Sequence, residues 1–437
     1  MRSSEVNDNQ NERNYYAILA YQKSLGDLNF QIAAYSRWSQ IRFMPDARGD
    51  LEYLGVASKV DNTIFSNGVQ LDASYNVGDH HTLRFGGNFR SESVRQAATT
   101  SVFHTDDSGN LSGAPFDIVY TQGKQAYLTD VYVQDEWQVA NWLTLNYGLR
   151  YDYFSIFKRE QQLSPRASIV WKLGDSTTID VGYASYFIPP EPLRVTASNL
   201  ARFKNTTNAP TTFASGPPRA ERSHDYDIGI EQKIVHLSLS FDGFYKQARN
   251  ALDAGQFGQA IILVPFNYKW DRVIGCELAA NYSSDDWNLF GTFSYVNTKA
   301  NSINSSQYEF PFDEVRFIKG HDIYLDHEGE FTATFGASRT FKTDLGTTTL
   351  FSEALYGYGL RAGFANTRKV GSYWTFNVGF SHELPLKGFR FRSAKFRFDI
   401  VNLFDAVYLL RDGTGIGVGA PQYGNRRGFY AGLSFDF

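Results

Sequence analysis

The sequence predicts an all-β fold: a transmembrane antiparallel β-barrel of about seventeen strands. Three observations carry this. A two-residue alternation of apolar and polar side chains recurs along the whole chain, its last strand ends on aromatics, and its connections alternate between short and long. Period two is the signature of a strand with one apolar face.

The final residues show the pattern most clearly. Phe429, Ala431, Leu433, Phe435 and Phe437 alternate with Tyr430, Gly432, Ser434 and Asp436. A soluble sheet rarely leaves such an aromatic edge bare, because unpaired apolar edges aggregate. A strand closing a barrel in lipid has reason to carry it. Leu143, Leu145, Tyr147, Leu149, Tyr151 and Tyr153 alternate with Thr144, Asn146, Gly148, Arg150 and Asp152. Phe396, Phe398 and Ile400 alternate with Lys395, Arg397 and Asp399. In a membrane barrel the apolar face meets lipid and the charged face lines a wet lumen.

Strands are expected at roughly 13–25, 28–44, 63–76, 81–100, 124–139, 142–156, 163–173, 176–189 and 220–233. Further strands follow at 236–250, 268–283, 286–301, 325–341, 346–361, 371–384, 390–404 and 426–437. Many exceed the ~5–6 residues of soluble strands. They suit a tilted crossing of ~9–11 residues with an extension beyond the bilayer. Tight turns are expected at Gly26-Asp27, Gly78-Asp79-His80, Ala140-Asn141, Gly174-Asp175, Ser284-Asp285 and Lys387-Gly388. Long loops are expected near 45–62, 101–123, 190–219, 251–267, 302–324 and 405–425, all on one rim. Outer-membrane barrels have this asymmetry, with the long loops facing the exterior.

Composition supports one large sheet and excludes other classes. Aromatics make up 16% of the 437 residues, including 27 Tyr and 36 Phe, enough to furnish two interfacial girdles. The 13 prolines fall mostly in loops and no linker divides the chain, so residues 1–437 read as a single domain. Mean hydropathy is −0.36, and no apolar run approaches the ~18 residues of a helical span. Barrel strands hide half their residues from such a scan. With a net charge of −4 and no Lys/Arg-rich segment, nucleic acid is not an expected partner.

The single Cys276 excludes an internal disulfide. It shares a face with Ile274, Leu278 and Tyr282, as a buried or lipid-facing thiol would. No cofactor or Cys/His metal framework is indicated. Glycines 413, 415, 417 and 419 belong to a loop rather than a strand-to-helix phosphate cradle. No catalytic Ser/His/Asp constellation stands out.

Several stretches together carry a family resemblance: Tyr132-Val133-Gln134-Asp135-Glu136-Trp137, Leu143 through Asp152, Ser164-Pro165-Arg166, Tyr183 to Pro190, Asn402-Leu403-Phe404-Asp405 with Tyr408, and the terminal strand. From about residue 60 onward the chain resembles the barrel portion of a TonB-dependent outer-membrane receptor. The resemblance implies ligand-gated, energy-coupled uptake of a bulky scarce nutrient such as a metal chelate. It also implies a 22-stranded barrel, a plug domain and a TonB-contacting segment.

Neither plug nor contact segment is recognised in this sequence, and the polar start has no apolar signal region. Seventeen strands would therefore be an incomplete or imperfectly closed part of 22, five lying upstream in a longer product. If the first and last of the seventeen met, they would pair in parallel. A passive pore or a barrel-embedded enzyme is the alternative.

Expected partners are outer-membrane lipid, the barrel-assembly machinery, a small-molecule ligand, and the TonB complex through a plug outside this chain. Tyr430, Gly432, Phe435 and Phe437 resemble the terminal assembly signal of such barrels. Phe257, Phe266, Tyr268, Tyr308 and Phe310, with neighbouring Phe312, lie on or beside outer loops, where aromatic rings stack on planar or hydrophobic ligands. His321 and Asp322, with His327, are candidates to contact a metal chelate, although their spacing matches no standard metal motif.

Overall fold

The computed structural model describes residues 2, 5–212, 216–257, 263–326, 328–386 and 391–436. Most of these residues belong to one antiparallel sheet of nineteen strands. Its first ten strands, β1–β10, are Asn9–Leu25, Leu28–Met44, Val56–Val77, His81–Thr105, Leu111–Ala140, Leu143–Ser155, Arg159–Leu173, Thr177–Ile188, Glu221–Ile234 and Leu237–Arg249. The wall continues through β12 (Leu263–Ser283), β13 (Trp287–Ile303), β15 (Phe331–Thr343), β16 (Gly346–Tyr358), β19 (Tyr373–Pro385), β20 (Ser393–Val401) and β23 (Gly428–Asp436).

The remaining two strands of the sheet, β11 (Leu252–Gln256) and β14 (Ile323–Tyr324), are short additions at the long-loop rim. Seventeen wall strands thus stand where the sequence places them. Each pairs antiparallel with its successor, from β1–β2 through β20–β23. Among the described residues β1 pairs only with β2 and β23 only with β20, so the sheet has two open edges.

Short connections lie at one rim. Gly26 and Gly174 take left-handed φ of 59° and 70°, a conformation a side chain resists. Val235 adopts φ of 49° in another such turn, an outlier for a β-branched residue. The predicted Lys387-Gly388 turn lies outside the described residues. At the opposite rim the connections are structured. Helix α1 (Ala47–Leu54) follows β2, α2 (Ala197–Leu200) lies in the β8–β9 connection, and α3 (Phe312–Ile318) lies between β13 and β15. Two small hairpins, β17–β18 (Arg361–Ala362 with Arg368–Lys369) and β21–β22 (Leu409–Asp412 with Pro421–Tyr423), occupy the last long connections.

The expected loop 101–123 is instead continuous strand. β4 and β5 run 25 and 30 residues and are joined only by 106–110. The cause is long-range. Val102 and Ile118 bury against Phe203 of the β8–β9 connection, and the Phe103 amide donates to Thr207 Oγ1 at 3.1 Å. Similarly, residues 251–267 form the β11–β12 hairpin, apart from 258–262, which lie outside the described residues.

Facing follows the predicted alternation. On the inner face Arg150 bridges Asp130 (3.1 Å) and Asp152 (2.8 Å), Arg84 meets Glu136 (2.9 Å), and Arg397 meets Asp399 (2.7 Å). Lys395 shares that face by register. The Tyr132 hydroxyl donates to Asp72 at 2.8 Å by crossing Gly86, where a Cβ would lie 2.8 Å from the Tyr132 ring. On the outer face Val131, Val133, Leu149, Phe396 and Phe435 are exposed, and Leu143, Leu145, Phe398 and the half-exposed Cys276 share it by register. Phe437 lies outside the described residues. The Asp135 carboxylate also sits on this outer face. It accepts from His81 Nδ1 (2.7 Å) and the Tyr147 hydroxyl (2.8 Å), so it is not left bare in lipid.

Two outcomes follow. Leu149→Arg should destabilise the folded barrel by ~2–4 kcal/mol in lipid-vesicle unfolding, whereas Asn146→Arg, directly across from Glu136 on the wet face, should cost far less. Val235→Asn should stabilise by about 1 kcal/mol in the same titration, by relieving left-handed strain.

Candidate functional site

The buried core of this protein lies at the long-loop rim, because the wall turns its apolar face outward. One cluster joins Phe266 and Tyr268 of β12 to Ile303, Phe310, Ile318, Ile323, Ala365 and Ile416. A second joins Val56, Val102, Ile118 and Phe203, with Phe257 and Tyr120 against it. A third, Val195, Leu200 and Tyr308, touches the same Phe257 and Tyr120. Edge-to-face contacts link them: Phe257 to Phe203 (5.5 Å) and Tyr308 (5.6 Å), Phe266 to Tyr268 (5.0 Å) and Phe310 (4.7 Å).

The aromatics singled out from sequence are therefore brought together, but as packing between loops. Phe266, Tyr268, Tyr308 and Phe310 are at most 4% exposed, so their rings have no free face for a ligand in this conformation. Phe312, at the start of α3, and Phe364, in the β16–β19 connection, are exposed at this rim. Phe364 meets Phe317 edge-to-face at 5.4 Å, and Phe317 stacks flat on His321 at 4.2 Å. Sequence alternation does not reveal this surface patch, because Phe364 and α3 lie in separate connections.

His321 Nδ1 lies 2.9 Å from the Phe317 carbonyl, and Asp322 Oδ1 accepts from Asn301 Nδ2 at 3.1 Å. His327 lies outside the described residues. Among the described residues no group of three or more His, Cys, Asp or Glu side chains is placed to hold a metal ion.

Three buried asparagines tie the loops together. Asn267 donates to the carbonyls of Asn250 (2.7 Å) and Arg219 (3.0 Å), and accepts from the Arg219 amide and Ser305. Asn366 donates to Tyr324 and Ile416 carbonyls and accepts from the Ile416 amide. Asn402 donates to Ala406 and Asn425 carbonyls and accepts from the Ala406 amide. An amide side chain offers donors and an acceptor together, so one residue satisfies several loop backbones in a dry place.

The Asn402-Leu403-Phe404-Asp405 motif now has a physical account. Asp405 takes two bonds from the Arg426 guanidinium and one from the Arg427 amide, clamping the loop ahead of β23. These bonds hold the Asp405 carboxyl far below the usual carboxylate range. Tyr408 stacks on Tyr373 at 4.2 Å. Of the proposed assembly residues, Tyr430 and Gly432 share the inner face and Phe435 the outer.

Glu309 and Asp50, both in the long-loop connections, are shifted upward. Burial, with Asp253 nearby, raises Glu309 well above the ordinary range. Burial of Asp50 in α1, reinforced by Asp8 and Asp46, pushes it up to about 6.

A curved wall with apolar exterior, polar interior and folded loops at one rim defines a transmembrane β-barrel of the outer membrane. Residues 2–403 match the family described as TonB dependent receptor-like, beta-barrel. The chain belongs to this family. The match reaches upstream of the stretches that first suggested it, to the beginning of β1 and before.

Solved structures share the fold. The ferric yersiniabactin uptake receptor FyuA of Yersinia pestis superposes with a TM-score of 0.72 at 13% identity, covering 98% of this chain and 62% of its own. The siderophore receptor PiuA of Acinetobacter baumannii gives 0.67 at 17%, covering 98% and 65%. The copper transporter OprC gives 0.70 at 15%, covering 97% and 65%. The chain thus spans under two thirds of the length of these relatives. No curated protein matches the sequence significantly.

The raised Asp50 yields a pH prediction. Its neutral form is favoured in the folded loop, so its stabilisation is complete below the ordinary carboxylate pKa of ~4 and is lost as pH rises through about 6. Hydrogen exchange in α1, corrected for intrinsic rate, should show weaker protection at pH 8 than at pH 5. Asp50→Asn should abolish that difference.

Proposed function

We propose that residues 1–437 form one barrel unit of an uptake receptor that carries a bulky metal chelate inward, powered by TonB through a plug elsewhere in the longer protein. The observation supporting this best is the folded long-loop rim. Three clusters and three asparagine braces hold the loops in fixed positions above a polar inner wall. A passive pore needs no such construction at its mouth. The structural relatives are named as a ferric yersiniabactin uptake receptor, a siderophore receptor and a copper transporter, which fits a metal-bearing cargo.

In this reading the buried aromatics Phe266, Tyr268, Tyr308 and Phe310, with the partly buried Phe257, act on ligand indirectly, by fixing the loops. Direct contact falls to the exposed rings Phe312 and Phe364, with His321 and Asp322. A planar chelate stacks on such rings for ~0.5–1.5 kcal/mol each. Two further strand partners are proposed for β1 and β23, because unpaired backbone in lipid is costly. In the same reading Tyr430, Gly432, Phe435 and Phe437 engage the barrel-assembly machinery, and the wall engages outer-membrane lipid.

The test uses the full-length receptor in a strain lacking its own chelate receptors. Binding of radiolabelled ferric chelates to whole cells should weaken about tenfold in Phe312→Ala/Phe364→Ala. Uptake should disappear when the proton gradient is collapsed. Gradient-independent uptake would favour the passive pore instead.

A further inference from the structure

The outer wall is not uniformly smooth. Across β10, β12, β13 and β15 the register aligns Leu239, Ala280, Gly291 and Phe335 in one cross-strand row on the lipid-facing side. The neighbouring row carries Phe241, Leu278 and Phe293. Two small residues, Ala280 and Gly291, thus sit among large ones. The result is a groove of about 420 Å³ whose lining is overwhelmingly apolar. The Phe335 ring borders it closely, since a Cβ on Gly291 would stand 3.3 Å from that ring.

A cation stands at the rim end of this groove. Arg339 lies four residues beyond Phe335 on the same face of β15, ~13 Å along the strand toward the short-turn rim. Its guanidinium sits over the rings of Trp287 (5.0 Å) and Phe341 (4.8 Å). Among the described residues no ion pair involves Arg339. An exposed, unpaired cation on a lipid-facing surface needs an anion at headgroup level, because charge at membrane depth is costly. Two stacked rings restrict where the guanidinium can go and aim it there.

We propose that this feature is a binding site for one glycerophospholipid of the short-turn leaflet, with its phosphate on Arg339 and an acyl chain in the Ala280–Gly291 groove. The membrane supplies the occupant. The apolar part matches hydrocarbon, the guanidinium matches phosphate in charge and planar fork geometry, and their separation follows the strand from interface to membrane interior. The site is independent of the cargo the receptor carries.

The protein extracted from its own outer membrane in mild detergent provides the test, by native mass spectrometry after graded delipidation. One phospholipid should persist on the wild type and rebind from phosphatidylglycerol micelles. Arg339→Gln should weaken phosphatidylglycerol retention about fivefold while leaving diacylglycerol retention unchanged. Gly291→Leu, which fills the groove, should weaken both lipids. Lys23→Ala, removing another outward cation near the same rim, should do neither. Heat-modifiable migration establishes that each variant is folded, and the two site variants probe different halves of the site. Equal retention in the wild type and whichever site variants fold would overturn the proposal. So would displacement of the retained species by inorganic phosphate alone, or a Lys23→Ala loss as large as that of Arg339→Gln.

Discussion

The backbone hydrogen-bond ladder is the constraint on which the rest depends. In hydrocarbon no water can satisfy an amide or carbonyl, so each wall strand must find a partner along its length. An unbroken antiparallel order from β1 to β23 is the consequence. Once register is fixed, every side chain is assigned to lipid or lumen, since a slip of one residue would exchange the two faces. The inner ion pairs around Arg150 and the outward row of Val131, Val133 and Leu149 are therefore products of one decision. Among the described residues the ladder stops at β1 and β23.

This inversion moves the buried core. A wall that shows its apolar face to lipid and its polar face to water has little dry interior, so close packing collects at the long-loop rim. There Phe266, Phe310, Ile318 and Ile416 come from connections far apart in the chain. Their contact holds loops that ordinary surface segments would leave mobile. Buried asparagines complete the structure by satisfying loop backbone that no sheet ladder reaches. A loop rim held this way keeps its shape without a partner, and in the proposed uptake receptor that would reduce the ordering cost of binding.

Strand positions and facing were legible in the sequence because period two is local: Leu143 to Tyr153 and Phe429 to Phe435 announce their faces without reference to anything distant. The family motif Asn402-Leu403-Phe404-Asp405 was legible as a pattern but silent about mechanism. Its partners, Arg426 and the Asn425 carbonyl, lie more than twenty residues on. The β4–β5 extension was hidden for the same reason. Residues 101–123 carry Gly109, Gly113 and Pro115, which read locally as loop, and contacts from a later connection, those of Phe203 and Thr207 among them, hold them as strand. Outer-loop aromatics were identifiable as a set, yet their division into buried Phe266 and exposed Phe312 depends on which loop lies above which.

The sequence by itself determined an all-β membrane wall of seventeen strands, its two faces, and its short-turn and long-loop rims. Alternation, strand length and turn spacing are local quantities, each readable within a dozen residues. Tertiary structure decided what the loops do: which rings are buried, which acids shift, and which motif residues brace the final hairpin. It also decided that Ala280 and Gly291 lie side by side below Arg339. Those outcomes depend on cross-strand register and on contacts between segments more than a hundred residues apart. No local pattern encodes them, because each is fixed only when the ladder brings its partner within reach.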